Sequence, residues 1–498
     1  MKKQILLTGI LVIGIAANAF AAEYAGTGKI GDREGPDFSA ETTLVPERES
    51  AQAKSAKKTK GGQEQPQPIT LYGDKVVYHQ DTGDFFAEGN IRVVQGSQVL
   101  TTEKIEGNAE SGDVLLKSGG RLSDGVSVLA GEWLHYNFNN ETGEIKKISG
   151  SSGKDFFKAE HATVQEGSVH LDKGGQVTRC PAVEHDPCVL LTAGRIDIYP
   201  KDRIVAHDVK IFVKGRHIFT RDVFVSRLDR KTSQTFAPKI GYSDDSGLKF
   251  RLRYEHNFTE QLSLVGDFDY YEKIGYRPMY GLQYEQSPFY ARLQQGWNED
   301  GDDNWIKKEA DLTLGFKNLR FNDGLPLSYS VYYNRGRWQE DDIRSWHTEY
   351  GIFLNHDRIF FDKPKSLFLD LGVGAKRKEE SYNDSTTDTM TYRATLGKKF
   401  DRNWNAWTSY FWEKSDEDLF AYNRPDMEEE LQNGLTYKFD DRNSLTFVNR
   451  YDLDSGSLYE QDWRYTHDFC CWRIEVEYRD KKREGDKSWH VKYDLFRW

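Results

Sequence analysis

The chain lacks most of the patterns that define common protein classes. Among its 498 residues no long apolar run occurs beyond the N-terminus, and mean hydropathy is −0.74. A helical membrane protein is excluded, because each span takes about 20 apolar residues. Basic residues do not outnumber acidic ones. The formal net charge of −11 excludes nucleic-acid binding through a basic surface. No Gly-x-Ser-x-Gly, His-Glu-x-x-His, Walker loop or Cys-x-x-Cys is present, and the histidines, such as His161, His185, His207 and His256, are scattered. No catalytic residue, metal site or cofactor is therefore expected.

Proline (13), methionine (4) and cysteine (4) are also scarce, whereas glycine (43), Tyr (27), Phe (28) and Trp (12) are plentiful. So many aromatic residues in so polar a chain point to an extended all-β protein. A transmembrane β-barrel fits, because its polar lumen hides its lipid face from any hydropathy average.

Residues 1–21 read as a signal peptide. Lys2 and Lys3 form a positive start, Ile5 to Ala17 an apolar stretch, and Ala19-Phe20-Ala21 a small-x-small cleavage site. No cysteine lies beside that site, so no lipoprotein anchor is expected, and the mature chain belongs where disulfides persist. Residues 22–68 carry no periodicity and are rich in Lys, Gln, Gly and Pro toward Pro68. They read as a flexible linker, with Lys54 to Lys60 solvated.

Residues 69–231 read as a periplasmic β-domain built on a repeat. Asp74-Lys-Val-Val-Tyr78 precedes Asp81-Thr-Gly-Asp84, Glu103-Lys-Ile-Glu-Gly107 precedes Glu110-Ser-Gly-Asp113, and Glu132-Trp-Leu-His-Tyr136 precedes Glu141-Thr-Gly-Glu144. The turn glycines Gly83, Gly112 and Gly143 lie 29 and 31 residues apart, a period that marks a stacked β array. Each Gly is expected to supply the positive φ of a hairpin turn. Between turns apolar residues alternate, as in Ile91 and Val93 or Val114 and Leu116, which places them on one face of a sheet. Such a sheet has two outcomes: a closed sandwich with a filled core, or an open roll whose apolar interior holds acyl chains.

Residues 232–498 alternate in 16 strands of about 9–12 residues, from Gln234–Tyr242 to Ser488–Trp498, with 14 as the other count. That is a transmembrane antiparallel barrel. Short turns (Asn257–Glu260, Glu285–Pro288, Asp401–Arg402, Asp440–Asn443) alternate with longer acidic loops (Asn298–Asn304, Glu380–Thr387, Lys414–Met427, Asp480–Lys487). The short side is expected in the periplasm and the long side outside. Aromatic strand ends, among them Trp346, Trp404 and Trp463, suit headgroup level. Trp498 closes the last strand and reads as the end that an outer-membrane assembly machinery takes hold of.

The four cysteines are Cys180, Cys188, Cys470 and Cys471. A bridge between the adjacent Cys470 and Cys471 is disfavoured by disulfide geometry. Two pairings remain, each tying the N-terminal region to the barrel, besides free thiols or a local Cys180–Cys188 loop.

The chain resembles a known family at this point. Val177-Thr-Arg-Cys-Pro181, Ala193-Gly-Arg-Ile-Asp-Ile198, the Ile211–Phe224 stretch, Pro238-Lys-Ile-Gly-Tyr242 and Cys470-Cys-Trp472 look like the lipopolysaccharide-assembly LptD/OstA family over residues 69–498. The resemblance implies an all-β protein: a periplasmic β-roll (OstA-like β-jellyroll) followed by a barrel of about 16 strands in the outer membrane. It implies an outer-membrane lipopolysaccharide translocon. The roll would take lipopolysaccharide from a periplasmic bridge protein, the barrel would open laterally between its first and last strands, and a plug lipoprotein is a further partner. The sequence departs from the family in its much shorter barrel and in Cys188, which elsewhere has its counterpart near the mature N-terminus. Candidate groove residues are Val76, Phe86, Ile91, Val93, Leu100, Ile105, Val114, Leu116, Val128 and Leu134, each of which also suits a plain core. Pro238 is a lateral-gate candidate, since proline cannot donate to a ladder and weakens a seam. The rival reading is a passive outer-membrane porin with a periplasmic domain.

Overall fold

The computed structural model describes residues 69–95, 98–124, 127–152, 155–180, 186–200, 202–227, 239–300, 304–322, 324–414, 418–469 and 471–494. They fall into two compact units, one holding residues 69–227 and the other 239–494.

The first unit is a single sheet of 14 antiparallel strands. It begins with Thr70–Tyr72 and Lys75–Tyr78, both paired with Asp84–Gln95. Gln98–Asn108 then serves two partners: Glu106 and Gly107 pair with Asp113–Leu116, and Val99 to Thr101 with Gly120–Ser123. Thr142–Ser152 does likewise with Trp133–Asn137 and Ser127–Gly131. Long strands follow in chain order to Arg216–Arg227.

Period-2 alternation builds the core. Leu116, Leu134, Ile145, Ala162, Leu171, Ile196, Ala206 and Phe224 stand opposite one another from strand to strand. All eight are buried. One apolar row therefore runs across eight neighbouring strands. Each buried aliphatic side chain in it contributes about 1.5–3 kcal/mol relative to exposure.

The repeat is real in two of its three turns. Gly83 and Gly112 have φ of 75° and 78°. Asn108 donates to Asp84 at 2.9 Å, and 29 residues later Asn137 donates to Asp113 at 2.8 Å. Each Asn oxygen also accepts the backbone N–H groups of the turn that follows. The Asn137 amide holds the Asp113 carboxyl below its ordinary range. The third turn differs from expectation. There Glu141 takes the left-handed conformation, at φ 55°, while Gly143 sits in the ladder opposite Tyr136. Its value is close approach, since a Cβ on Gly143 would lie 2.4 Å from the His135 carbonyl oxygen.

The second unit is a closed antiparallel barrel of 16 strands. Lys239–Ser243 is the first, Phe289–Glu299 the fifth, Trp305–Arg320 the sixth, Leu327–Glu340 the seventh and Ile343–His356 the eighth. Leu367–Glu380 is the ninth, Trp404–Glu413 the eleventh, Glu429–Lys438 the twelfth, Asn443–Asp452 the thirteenth, Ser457–Asp468 the fourteenth and Asp486–Asp494 the sixteenth. Ile359–Phe360 adds a short rung beside the ninth strand. The count of 16 settles the choice between 14 and 16. Short turns are fixed by side chains, as where Asp440 accepts from the backbone of Arg442 and Asn443.

Three expectations about loops are corrected. Glu380–Thr387 and Asp480–Lys487 read as long acidic loops, but strand pairing runs to Glu380 and resumes at Ser385, and runs to Lys481 and resumes at Asp486. Lys414–Met427 was expected to project outward, yet among the described residues its second half lies buried inside the barrel unit. Pro238 and Trp498 lie outside the described residues.

Candidate functional site

The N-terminal unit carries a cleft of roughly 1230 Å³. Alternation along Asp155–Gln165 explains its wall: Asp155, Phe157 and Ala159 are buried, while Phe156 and Lys158 point the other way. Val128, Phe156, Leu190 and Phe212 supply apolar surface, and Arg121, Lys158 and Lys214 supply positive charge, with Asp186 as the acidic exception. Apolar wall beside three cations suits an anionic amphiphile.

Of the ten groove candidates, Val128 lines this cleft. Ile91, Val93, Leu100, Ile105, Val114, Leu116 and Leu134 are packed in the core, all at 3% exposure or less. Val76 and Phe86 are exposed elsewhere on the sheet. Sequence periodicity found the apolar face but missed the cleft, whose residues alternate with the core set and mix aromatic with basic types.

The motif residues of this unit hold its end together. Thr178 donates its hydroxyl to the Val189 carbonyl at 2.7 Å and accepts from the Cys180 N–H at 3.1 Å. Arg179 donates to Asp155 at 2.8 Å and to Ser226 at 2.9 Å, and Ser226 donates to Asp155 at 3.0 Å. Asp155 and Ser226 are both 1% exposed. In Ala193–Ile198, buried Asp197 takes Arg195 at 2.9 Å and His170 at 2.7 Å. Of the cysteines, Cys188 and Cys471 are disulfide-bonded. Cys180 is held as a buried thiol, and Cys470 lies outside the described residues.

The barrel is inside out relative to a soluble protein. On Gly247–Asn257, Leu248, Phe250 and Tyr254 are exposed while Glu255 and Asn257 are buried. The pattern recurs as far as Trp463 and Trp489 outside and Glu460, Asp462 and Glu477 inside. An apolar outer belt around a charged lumen defines a transmembrane β-barrel of the outer-membrane type. The lumen charges are paired: Arg450 with Glu430 at 2.7 Å, Glu460 at 3.3 Å and Asp426 at 3.2 Å, and Lys378 with Asp418.

The barrel closes between its first and last strands. Among the described residues, Lys239–Ser243 and Asp486–Asp494 are paired from Lys239 opposite Asp494 to Ser243 opposite His490. Asp494 binds Lys239 across the seam at 3.2 Å and Arg473 on its other side at 3.1 Å.

The chain resembles curated LPS-assembly proteins LptD. It is 21% identical over 195 residues to that of Nitrosomonas europaea, covering 39% of this chain and 27% of the relative. It is 24% identical over 202 residues to that of Nitrosomonas eutropha, covering 40% and 27%. The matched stretch thus spans about a quarter of the curated relatives. No protein-family model matches. Among solved structures, the Pseudomonas aeruginosa barrel OccK11 aligns at 10% identity and TM-score 0.31, over 52% of this chain and 93% of that one. A mutant of the Rh. blastica porin aligns at 8% identity and TM-score 0.31, over 52% of this chain and 96% of that one.

Proposed function

We propose that the protein is an outer-membrane lipopolysaccharide translocon. Its N-terminal unit, in the periplasm, receives lipopolysaccharide from a periplasmic bridge protein. The barrel then delivers the lipid to the outer leaflet by parting between its first and last strands. The observation that carries this reading is the cleft, where apolar side chains stand beside Arg121, Lys158 and Lys214. A phosphorylated, acylated lipid meets both demands. Its chains gain about 25 cal/mol per Å² removed from water, and its phosphates take charge-assisted hydrogen bonds.

The test places a photo-crosslinking residue at Phe156 or Phe212 in living cells, with core Phe138 as the negative control. The expected result is a lipopolysaccharide adduct at the two cleft positions that disappears when the upstream exporter is depleted. Full incorporation with no adduct at either position overturns the reading. A second reading, a passive outer-membrane pore, is favoured by the loop folded into the barrel, since such a loop narrows a channel. It predicts steady ion conductance and no lipid adduct.

A further inference from the structure

The segment between the eleventh and twelfth strands does not behave as a surface loop. Phe420 and Tyr422 are 0% and 2% exposed and pack with Ile306 and Trp338 of the sixth and seventh strands. The backbone N–H groups of Ala421 and Tyr422 donate to the Glu340 carboxylate, at 2.7 and 3.1 Å. The Tyr422 hydroxyl accepts from Asn298 of the fifth strand at 2.6 Å. Asp418 is ion-paired with Lys378 of the ninth strand. Four residues beyond Tyr422, Asp426 meets Arg450 of the thirteenth strand at 3.2 Å.

The fifth and thirteenth strands stand eight places apart in a ring of sixteen, so they form opposite walls. A stretch of four residues reaches at most about 14 Å, and the Tyr and Arg side chains complete the span. The segment therefore crosses the lumen. Its anchors Trp338, Lys378 and Arg450 each lie two residues inside the strand ends on the side from which the loop departs, a depth of roughly 7 Å. Internal bonds stiffen it, since Arg424 donates to the Asp418 carbonyl at 3.0 and 2.8 Å.

We infer that residues 418–428 are a built-in plug that closes the lumen to ions and small solutes and must be displaced for the lumen to open. A barrel with its own segment across its width has less need of a plug supplied by a second protein. The inference stands on the barrel's geometry and does not rest on the lipid reading, but it opposes the second reading of a steadily conducting pore.

Planar-bilayer recordings of the purified full chain test it. The wild type is expected to stay closed, with at most brief openings. Replacing 418–427 by a Gly-Ser stretch of equal length, or combining Asp418→Asn, Asp426→Asn and Phe420→Ala, should raise steady current at least tenfold. Lys378→Arg, which keeps the ion pair, should stay closed. Heat-modifiable mobility on SDS gels verifies that each variant still forms a barrel. A wild type that conducts steadily at the level of the loop-replaced variant overturns the plug, and this result needs no variant to fold beyond the comparison. Crosslinking at Phe156 is read independently, so failure of the plug leaves the lipid reading standing.

Discussion

Asn298 on the fifth strand donates its side-chain amide to the Tyr422 hydroxyl at 2.6 Å, joining residues 124 apart in sequence. Tyr422 meets Trp338 edge-on, with centroids 6.0 Å apart. A hydroxyl and a ring thus share the work of holding one segment. Tyr422→Phe removes only the hydrogen bond and should loosen the segment by about 0.5–1.5 kcal/mol. Phe420→Ala removes a fully buried ring and should cost about 3–5 kcal/mol of local order. Hydrogen exchange at amides 419–428 reads both. Exchange should rise strongly for Phe420→Ala and mildly for Tyr422→Phe, while strand amides hold. Equal, small effects would show that the segment is retained by its ion pairs instead.

In the N-terminal unit, Arg179 is paired with Asp155 in a site where Asp155 is 1% exposed. Removing one partner of a buried pair strands the other charge, at about 3–5 kcal/mol. Arg179→Ala should therefore make this unit the first to be cut in limited proteolysis. Ser226→Ala, which removes one neutral partner, should do so far less. A variant Arg179→Ala that resists protease like the wild type would move the stabilising role to the apolar row.

Much of this architecture is legible in the sequence, for a physical reason. A strand has a period of two, so Leu248, Phe250 and Tyr254 declare an outer face wherever the lumen is polar. The same rule marks Ile91, Val93 and Leu116 as one face of the N-terminal sheet. Period alone does not say whether that face is closed, and here those residues are core. Nor does it identify the cleft, since Phe156 and Phe212 sit in the short apolar runs Phe156-Phe157 and Ile211-Phe212-Val213, where alternation does not tell one face from the other. The lumen segment was illegible for a different reason. Asp418, Arg424 and Asp426 read as solvated loop until Lys378 and Arg450, from strands far away in sequence, are brought opposite them.

Glycine spacing in the barrel yields another prediction. A Cβ on Gly397 would lie 2.2 Å from Phe368 Cζ, and Phe368 is 3% exposed. The ring occupies the room that the missing side chain leaves. Gly397→Val should expel it and lower stability by about 1–3 kcal/mol. The gel unfolding temperature should fall, and Phe368→Ala in the same chain should restore part of it. A loss that Phe368→Ala leaves unchanged would point to backbone strain.

Cysteine chemistry is checked by mass mapping without reduction. Cys188 and Cys471 should be recovered as cystine. Cys180, 5% exposed, should react with an alkylating reagent only after unfolding. Rapid labelling of Cys180 in the folded chain would contradict its burial. Its recovery in a cystine would contradict its thiol state.

The seam supplies the last prediction. Asp494 binds Lys239 across it and Arg473 on its own side, opposite Lys239 in the ladder. Ion pairs this accessible are worth about 0.2–1 kcal/mol each. Asp494→Asn keeps the shape and removes both attractions. It should lower the barrel's gel unfolding temperature by a few degrees and weaken further in low salt relative to wild type, because screening already discounts the pair at high salt. If parting of this seam limits lipid delivery, the same variant should speed it. Asp388→Asn, which breaks the exposed Arg377–Asp388 pair away from the seam, should leave both readouts alone. An Asp494→Asn barrel as heat-resistant as the wild type at every salt concentration would mean that the backbone ladder alone holds the seam.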